Sequence, residues 1–157
     1  MRSIRNQGRK QGGVVLLEVF IAILIFSMGI LAVVGMQAVA IKNVTDAKYR
    51  SEAAFLTNRL LSQMWTDAGS IGLYAYPGTG AVPAKLNAWI NDPITGVNAR
   101  LPNTGPTGFP PKVTVTGASA SGAQVTIQVF WQLPEEQSKI PPLPPHNYTV
   151  VASVWTS

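Results

Sequence analysis

Gly13-Val14-Val15-Leu16-Leu17-Glu18 opens a stretch in which a single acid stands in a long apolar run. From Val14 to Ile41 the one charged residue is Glu18, and 23 uncharged residues rich in Ile, Leu, Val, Ala and Phe separate it from Lys42. A bilayer core takes about 20 such residues as a helix. A carboxylate near the start of such a helix is costly, about 2.5–3.5 kcal/mol at mid-membrane depth, so acids in these segments mark functional sites. Ser27 and Gln37 are the conspicuous polar side chains of the run. Gly29 and Gly35 each cost roughly 1 kcal/mol of helix propensity in water. In lipid or in a helix bundle they permit close backbone approach instead, or mark points where the helix loosens.

Outward toward the N-terminus the chain is basic. Arg2, Arg5, Arg9 and Lys10 precede Gly12-Gly13, and no acid accompanies them. Residues 1–13 therefore read as a leader retained in the cytoplasm. The formal net charge is +5. Removing the leader leaves eight basic and seven acidic residues, so the basicity belongs to the leader and gives no support to a nucleic-acid partner. Cysteine is absent, which excludes a disulfide staple and leaves thiol chemistry silent on compartment.

The residues leave three readings of 1–41 open. Ala38-Val39-Ala40 fits the cleavage site of a secretory signal peptide. The apolar run, however, exceeds the usual apolar region of about 7–15 residues and carries an acid at its start. An uncleaved membrane anchor accounts for the hydrophobicity and leaves Glu18 unexplained. The third is a processing and assembly site, and it rests on the resemblance described below.

Outward toward the C-terminus, residues 42–68 continue as helix. Lys42, Asp46, Lys48, Arg50, Glu52 and Arg59 make this part soluble. Val44, Ala47, Ala54, Leu61 and Trp65, together with Ala53, Leu56, Leu60 and Met64, recur at helical spacing and predict one broad apolar stripe. Gly69 is the expected C-cap. One helix from 14 to 68 would run about 80 Å. Its amphipathic second half needs a surface to cover it.

Residues 69–111 carry frequent turn signals, such as Tyr76-Pro77-Gly78 and Leu101-Pro102-Asn103-Thr104-Gly105-Pro106, and read as an irregular, variable loop. Within it Ala84–Asn91 predicts a short helix with Leu86, Trp89 and Ile90 on one face. Residues 112–157 predict a sheet. Strands are expected at Lys112–Thr116, Gln124–Gln132 and Tyr148–Trp155, with a small-residue turn at Ala118–Gly122. Val125, Ile127, Val129 and Trp131 share one face of the second strand; Tyr148, Val150, Ala152 and Val154 share one face of the third. Five prolines in Leu133–Asn147 exclude that segment from a central strand.

Catalytic patterns are lacking. His146 is the only histidine and lies in the proline-rich loop, with no G-x-S-x-G and no His/Cys cluster for zinc. Gly78-Thr79-Gly80 lacks the remaining positions of a phosphate-binding loop. Glu135-Glu136 reads as a solvated acidic pair. No enzyme, no cofactor and no metal are expected.

Gly13-Val14-Val15-Leu16-Leu17-Glu18 and the basic leader before it resemble the processing site of the type IV pilin family. In that family a short basic leader ends in Gly, a hydrophobic residue becomes the new N-terminus, and Glu stands at its fifth position. Val14 and Val15 depart mildly from the usual Phe or Met first and Thr second or third. The resemblance implies an α+β pilin fold, with a long N-terminal helix, hydrophobic then amphipathic, packed on a small antiparallel sheet. It implies that a membrane prepilin peptidase cuts Gly13–Val14 and methylates the amine of Val14, and that Glu18 sets register in assembly by pairing with such an amine. Val14–Gln37, with Gly29 and Gly35, and Tyr49-Arg50-Ser51-Glu52-Ala53-Ala54 are similar to the minor-pilin group of type IV pilus modification proteins. Major pilins typically carry Pro where Gly35 stands, and a C-terminal disulfide loop. The implied organisation is a cleaved leader 1–13, a transmembrane and assembly helix 14–41, and a periplasmic head 42–157. The implied partners are the peptidase, other minor pilins, the major pilin, the inner-membrane assembly platform and membrane lipid. The implied course runs from the inner membrane to the pilus, with a place at its tip and an influence on adhesion. The alternatives are a minor pseudopilin of a type II secretion system and a signal-peptide-cleaved periplasmic binding or adhesin domain.

Overall fold

The computed structural model describes residues 12–119 and 121–155; most of the basic leader, 1–11, lies outside the described residues. The chain divides into two compact units, Met1–Thr45 and Asp46–Ser157. The first long element, α1 (Gly12–Thr66), contributes to both.

In the first unit α1 is exposed on every side from Gly13 to Val44. Ser27 Oγ donates to the Ile23 carbonyl at 2.7 Å and Thr45 Oγ1 to the Ile41 carbonyl at 2.9 Å. These hydroxyls are satisfied inside their own helix and present no free donor to an apolar environment. By length and composition this helix is apolar enough to cross a membrane.

The second unit is an α+β arrangement in which the distal part of α1 packs on a three-stranded antiparallel sheet. Ala53, Leu56, Leu60, Leu61 and Met64 are buried along one stripe of α1, with Thr57 among them. Thr57 Oγ1 bonds back to the carbonyls of Ala53 and Ala54, which removes the cost of burying its hydroxyl. The stripe is narrower than its spacing predicts. Val44 and Trp65 are largely exposed, and so is Ala47. At about 100° per residue, Trp65 lies one step round the helix from Met64, past the edge of the contact. The helix also stops before its expected cap. It ends at Thr66, and Ala68–Tyr74 continues as a 3₁₀ segment that runs through Gly69.

The strands are β1 (Lys112–Ser119), β2 (Gly122–Trp131) and β3 (His146–Trp155), with β2 central. Val113 faces Ile127 and Val115 faces Val125 across the first pair; Ile127 faces Val150 and Val125 faces Ala152 across the second. Val125, Ile127, Val129 and Trp131 are buried along β2, as the period-two pattern predicts. The β1–β2 turn is tighter than expected, because both strands extend into the small-residue stretch. A register irregularity between Thr116 and Ser119 coincides with Gly117 at φ +66°, where a side chain would be strained.

Residues 69–111 are irregular over much of their length, but they carry three short helical segments and add a layer to the core. They form the 3₁₀ segment, α2 (Ala84–Asn91) and α3 (Val97–Arg100), and bury Ile71, Tyr74, Leu86, Trp89, Ile90, Val97 and Leu101. Backbone bonds between Tyr76 and Val113, both 2.8 Å, tie this layer to β1. Arg100 reaches back to α1, with Nε donating to Glu52 Oε1 at 2.6 Å and an Nη to Oε2 at 3.0 Å. After β2, α4 (Pro134–Gln137) opens the proline-rich connection.

Candidate functional site

Gly13, Val14 and Glu18 stand in the opening turns of α1, and each is exposed. Glu18 has no hydrogen-bond or ion-pair contact shown among the described residues, and its neighbours Leu17 and Val19 are exposed apolar side chains. The peptide bond between Gly13 and Val14 lies inside the helix, whose first four N–H groups have no helical acceptor. A helix end fraying at these unsatisfied donors is easier to open than the helix interior. Among the described residues nothing crowds Gly13, Gly29 or Gly35. Gly29 lies in a shallow groove with Phe26, Ile30, Val33, Val34 and Gln37; Gly35 lies in another with Ala32, Met36, Val39, Ala40 and Asn43. Grooves of this kind accept the ridge of a second helix. Ala38-Val39-Ala40 sits within uninterrupted helix.

A second constellation escaped the sequence reading. Glu136 is buried, not solvated: it is 4% exposed, and its Oε2 accepts the backbone N–H of Leu133 at 3.1 Å. His146 is the first residue of β3. Its Nε2 lies 2.9 Å and 3.1 Å from the two carboxylate oxygens of Glu136, and its Nδ1 lies 3.5 Å from Oδ1 of Asp46 on α1. The imidazole stacks on Trp131, with centroids 5.6 Å apart and planes 12° apart. The signal available in the sequence was Leu133-Pro134-Glu135-Glu136, a helix start with an acid three residues after the cap position. Its neighbour Glu135 is exposed, as expected for both.

The titratable groups with displaced pKa values belong to structural contacts in the second unit. Asp67 is held low by the hydrogen bond from Lys85, then by that from Tyr74. Tyr74 is pushed up by burial and then by Asp67. Asp92 is held low by the backbone N–H groups of Thr95 and Ile94, and Arg100 is raised by its hydrogen bond to Glu52. Among the described residues no group of three His, Cys, Asp or Glu is placed to hold a metal ion.

No family model, no curated protein and no solved structure matches the chain.

Proposed function

We propose that this chain is a type IV pilin-like subunit, a minor pilin of the PilV type, made as a precursor and cut between Gly13 and Val14. The supporting observation is the placement of Glu18: one carboxylate, four residues beyond Val14, on a helix whose apolar surface is exposed on all sides up to Val44. A helix that is greasy all round is a membrane span or the interior of a bundle. The same helix from Ala53 to Met64 buries a single stripe in a self-contained head. An element that is bare at one end and covered at the other suits a subunit that leaves the bilayer for a helical assembly.

In that role the basic residues Arg2, Arg5, Arg9 and Lys10 hold the leader in the cytoplasm. Gly13 lets a prepilin peptidase approach the backbone. After cleavage the new amine of Val14, methylated, is the cation nearest in chemistry and position to Glu18. A carboxylate entering a low-dielectric helix bundle requires such a partner. The amine of a neighbouring subunit then fixes axial register. Gly29 and Gly35 admit neighbouring helices at close range. The minor pilin primes filament assembly with other minor pilins and the major pilin on the inner-membrane platform.

The test is sequencing of the mature N-terminus, followed by recovery of the protein from sheared surface filaments. Methylated Val14 supports the reading. Ile41 as the first residue identifies a cleaved signal peptide, and Met1 an uncleaved anchor; either result overturns it. Recovery with a secretion complex in place of filaments identifies a pseudopilin.

A further inference from the structure

We propose that the β1–β2 turn end of the sheet binds an uncharged glycan chain, with one pyranose ring seated against Trp155, Gln124 and Ser153. The strand register builds the site, on the face opposite the buried row Val125, Ile127 and Val129. Thr116, Gln124 and Ser153 stand opposite one another across the three strands, and Gly122 stands opposite Trp155 in the next row. Side chains in such a row are about 5 Å apart at Cβ, and the next row lies about 7 Å further along the strands. These residues line a shallow depression of about 380 Å³, within the range of small-molecule sites, roughly 300–1,000 Å³. Gly122 is its buried floor. A Cβ there would stand 3.2 Å from Cε3 of the Trp155 ring, so the missing side chain leaves the ring room to lie along the floor. The indole is nevertheless 71% exposed.

The chemistry of the lining selects the ligand. No lining residue is charged. Lys112 is the only Lys, Arg, Asp or Glu in the three strands, and it stands at the other end of β1. An ionic ligand would find no counter-charge here, and a purely apolar one would leave an amide and hydroxyls without partners. A pyranose ring presents both kinds of surface. Its C–H face is weakly electropositive and meets the electron-rich face of an indole. Its hydroxyls donate and accept, which matches the Gln124 amide and the Ser153 hydroxyl. Both of those side chains are exposed, with no hydrogen-bond partner shown among the described residues. Thr116 and Ser119 are already engaged: Thr116 Oγ1 donates to the Gln124 carbonyl at 3.4 Å, and Ser119 Oγ to the Gly122 carbonyl at 3.1 Å. They shape the wall and leave Gln124 and Ser153 to meet the sugar. The same face continues through the cross-strand rows Thr114–Thr126–Val151 and Lys112–Gln128–Thr149. Hydroxyls and an amide along this path suit further rings of a chain better than a free monosaccharide. The site lies wholly in the second unit and does not rest on processing at Gly13.

The test is a titration of the isotope-labelled full chain, in micelles of a detergent without a sugar headgroup, followed by heteronuclear NMR. The probes are neutral hexasaccharides of glucose, galactose and mannose, the corresponding monosaccharides, and an oligogalacturonate as the charged control. At least one neutral hexasaccharide is expected to shift the Trp155 indole and the Gln124 and Ser153 amides, with a dissociation constant of about 1 mM or tighter, and to bind roughly threefold or more tighter than its monosaccharide. Trp155→Ala should weaken binding roughly tenfold, and Gln124→Ala several-fold. Gln124 is exposed on its strand, so its variant decides should Trp155→Ala disturb the turn. No shift with any probe, shifts confined to other residues, or parental affinity in either folded variant overturns the proposal. Tighter binding of the oligogalacturonate overturns the preference for an uncharged ligand. A monosaccharide that binds as tightly as its hexasaccharide overturns the chain.

Discussion

The indole Nε1 of Trp89 donates a 2.8 Å hydrogen bond to the carbonyl of Leu56, a residue 33 positions earlier on α1. Both side chains are buried, Trp89 to 2% exposure and Leu56 completely. The bond joins the layer formed by residues 69–111 to the helix that organises the head, and the ring fills the space between them. Trp89→Ala is expected to destabilise the second unit by about 3–5 kcal/mol through the cavity it leaves. Trp89→Phe keeps most of the ring and removes the donor, and should cost about 1–2 kcal/mol. Urea unfolding of the full chain in micelles, followed by circular dichroism, measures both. An unchanged midpoint in the Phe variant would show that the hydrogen bond contributes nothing.

Asp67, Lys85 and Tyr74 form a contact that makes part of the head's stability depend on pH. Lys85 Nζ donates to Asp67 Oδ2 at 2.6 Å and the Tyr74 hydroxyl donates to the same oxygen at 2.9 Å. The carboxyl of Asp67 is held below its ordinary value, first by Lys85 and then by Tyr74. Its contribution is present above the unfolded value of about 4 and is lost as pH falls through the lower folded value. Tyr74 is raised, first by burial and then by its bond to Asp67. Its contribution is present below about pH 10 and is lost as pH rises toward the folded value. Lys85→Met should shift the acid unfolding midpoint upward and leave the alkaline limb in place. Tyr74→Phe should push the alkaline limb to higher pH. Dichroism-monitored titrations at the two extremes separate these effects; an acid midpoint unmoved in Lys85→Met would contradict the assignment.

The local periods in the sequence found much of this head. Ala84–Asn91 forms the expected helix, with Leu86, Trp89 and Ile90 buried, and the inward faces of β2 and β3 are those that alternation predicts. Periodicity groups residues onto a face but does not say how wide a face its partner covers. Val44, Ala47 and Trp65 were therefore assigned to a stripe that ends before them. The core layer at 69–111 was hidden for a related reason. Its Gly and Pro punctuation marks turns truthfully, yet burial of Ile71, Tyr74 and Leu101 depends on long-range contacts that no local pattern carries. Glu136 was misread because adjacent acids in a sequence do not show the partners that accompany its burial, among them the Leu133 N–H and the ring of His146 on another element. Gly13, Val14 and Glu18 were singled out by one charge set in an apolar run, and the structure adds that all three are exposed in the opening turns of α1.

Gly122 begins β2 at φ +139°, a conformation that a residue with a side chain rarely adopts. A Cβ there would also run into the Val154 carbonyl and the Trp155 backbone on the facing strand. Strain and collision act together, so Gly122→Ala should cost roughly 1–3 kcal/mol or more. Gly80 is also at positive φ but has open space around it, and Gly80→Ala serves as the control with the milder loss. Thermal unfolding of the two variants side by side checks the ranking. Equal losses would mean that backbone conformation alone, and not the close approach of β3, governs Gly122.

If the chain is the pilin-like subunit proposed above, Gly13 and Glu18 separate two steps, cleavage and incorporation, that a single loss of filaments would confuse. Gly13→Leu places a branched side chain at the scissile position, so the precursor should accumulate in the membrane at its full length. Glu18→Ala leaves the cleavage position untouched, so the mature N-terminus should still be Val14. On the proposed pilin reading, Glu18→Ala removes the anion that would meet an amine inside the bundle, and that amine would then be buried without a partner. Losing one member of such a pair is worth a few kcal/mol, which corresponds to roughly a hundredfold fall in incorporation. Mass spectrometry of the membrane and sheared-filament fractions, with matched total protein, reads both steps at once. Mature Glu18→Ala protein recovered from filaments at the parental level would remove Glu18 from assembly and leave it as a tolerated charge near the start of α1.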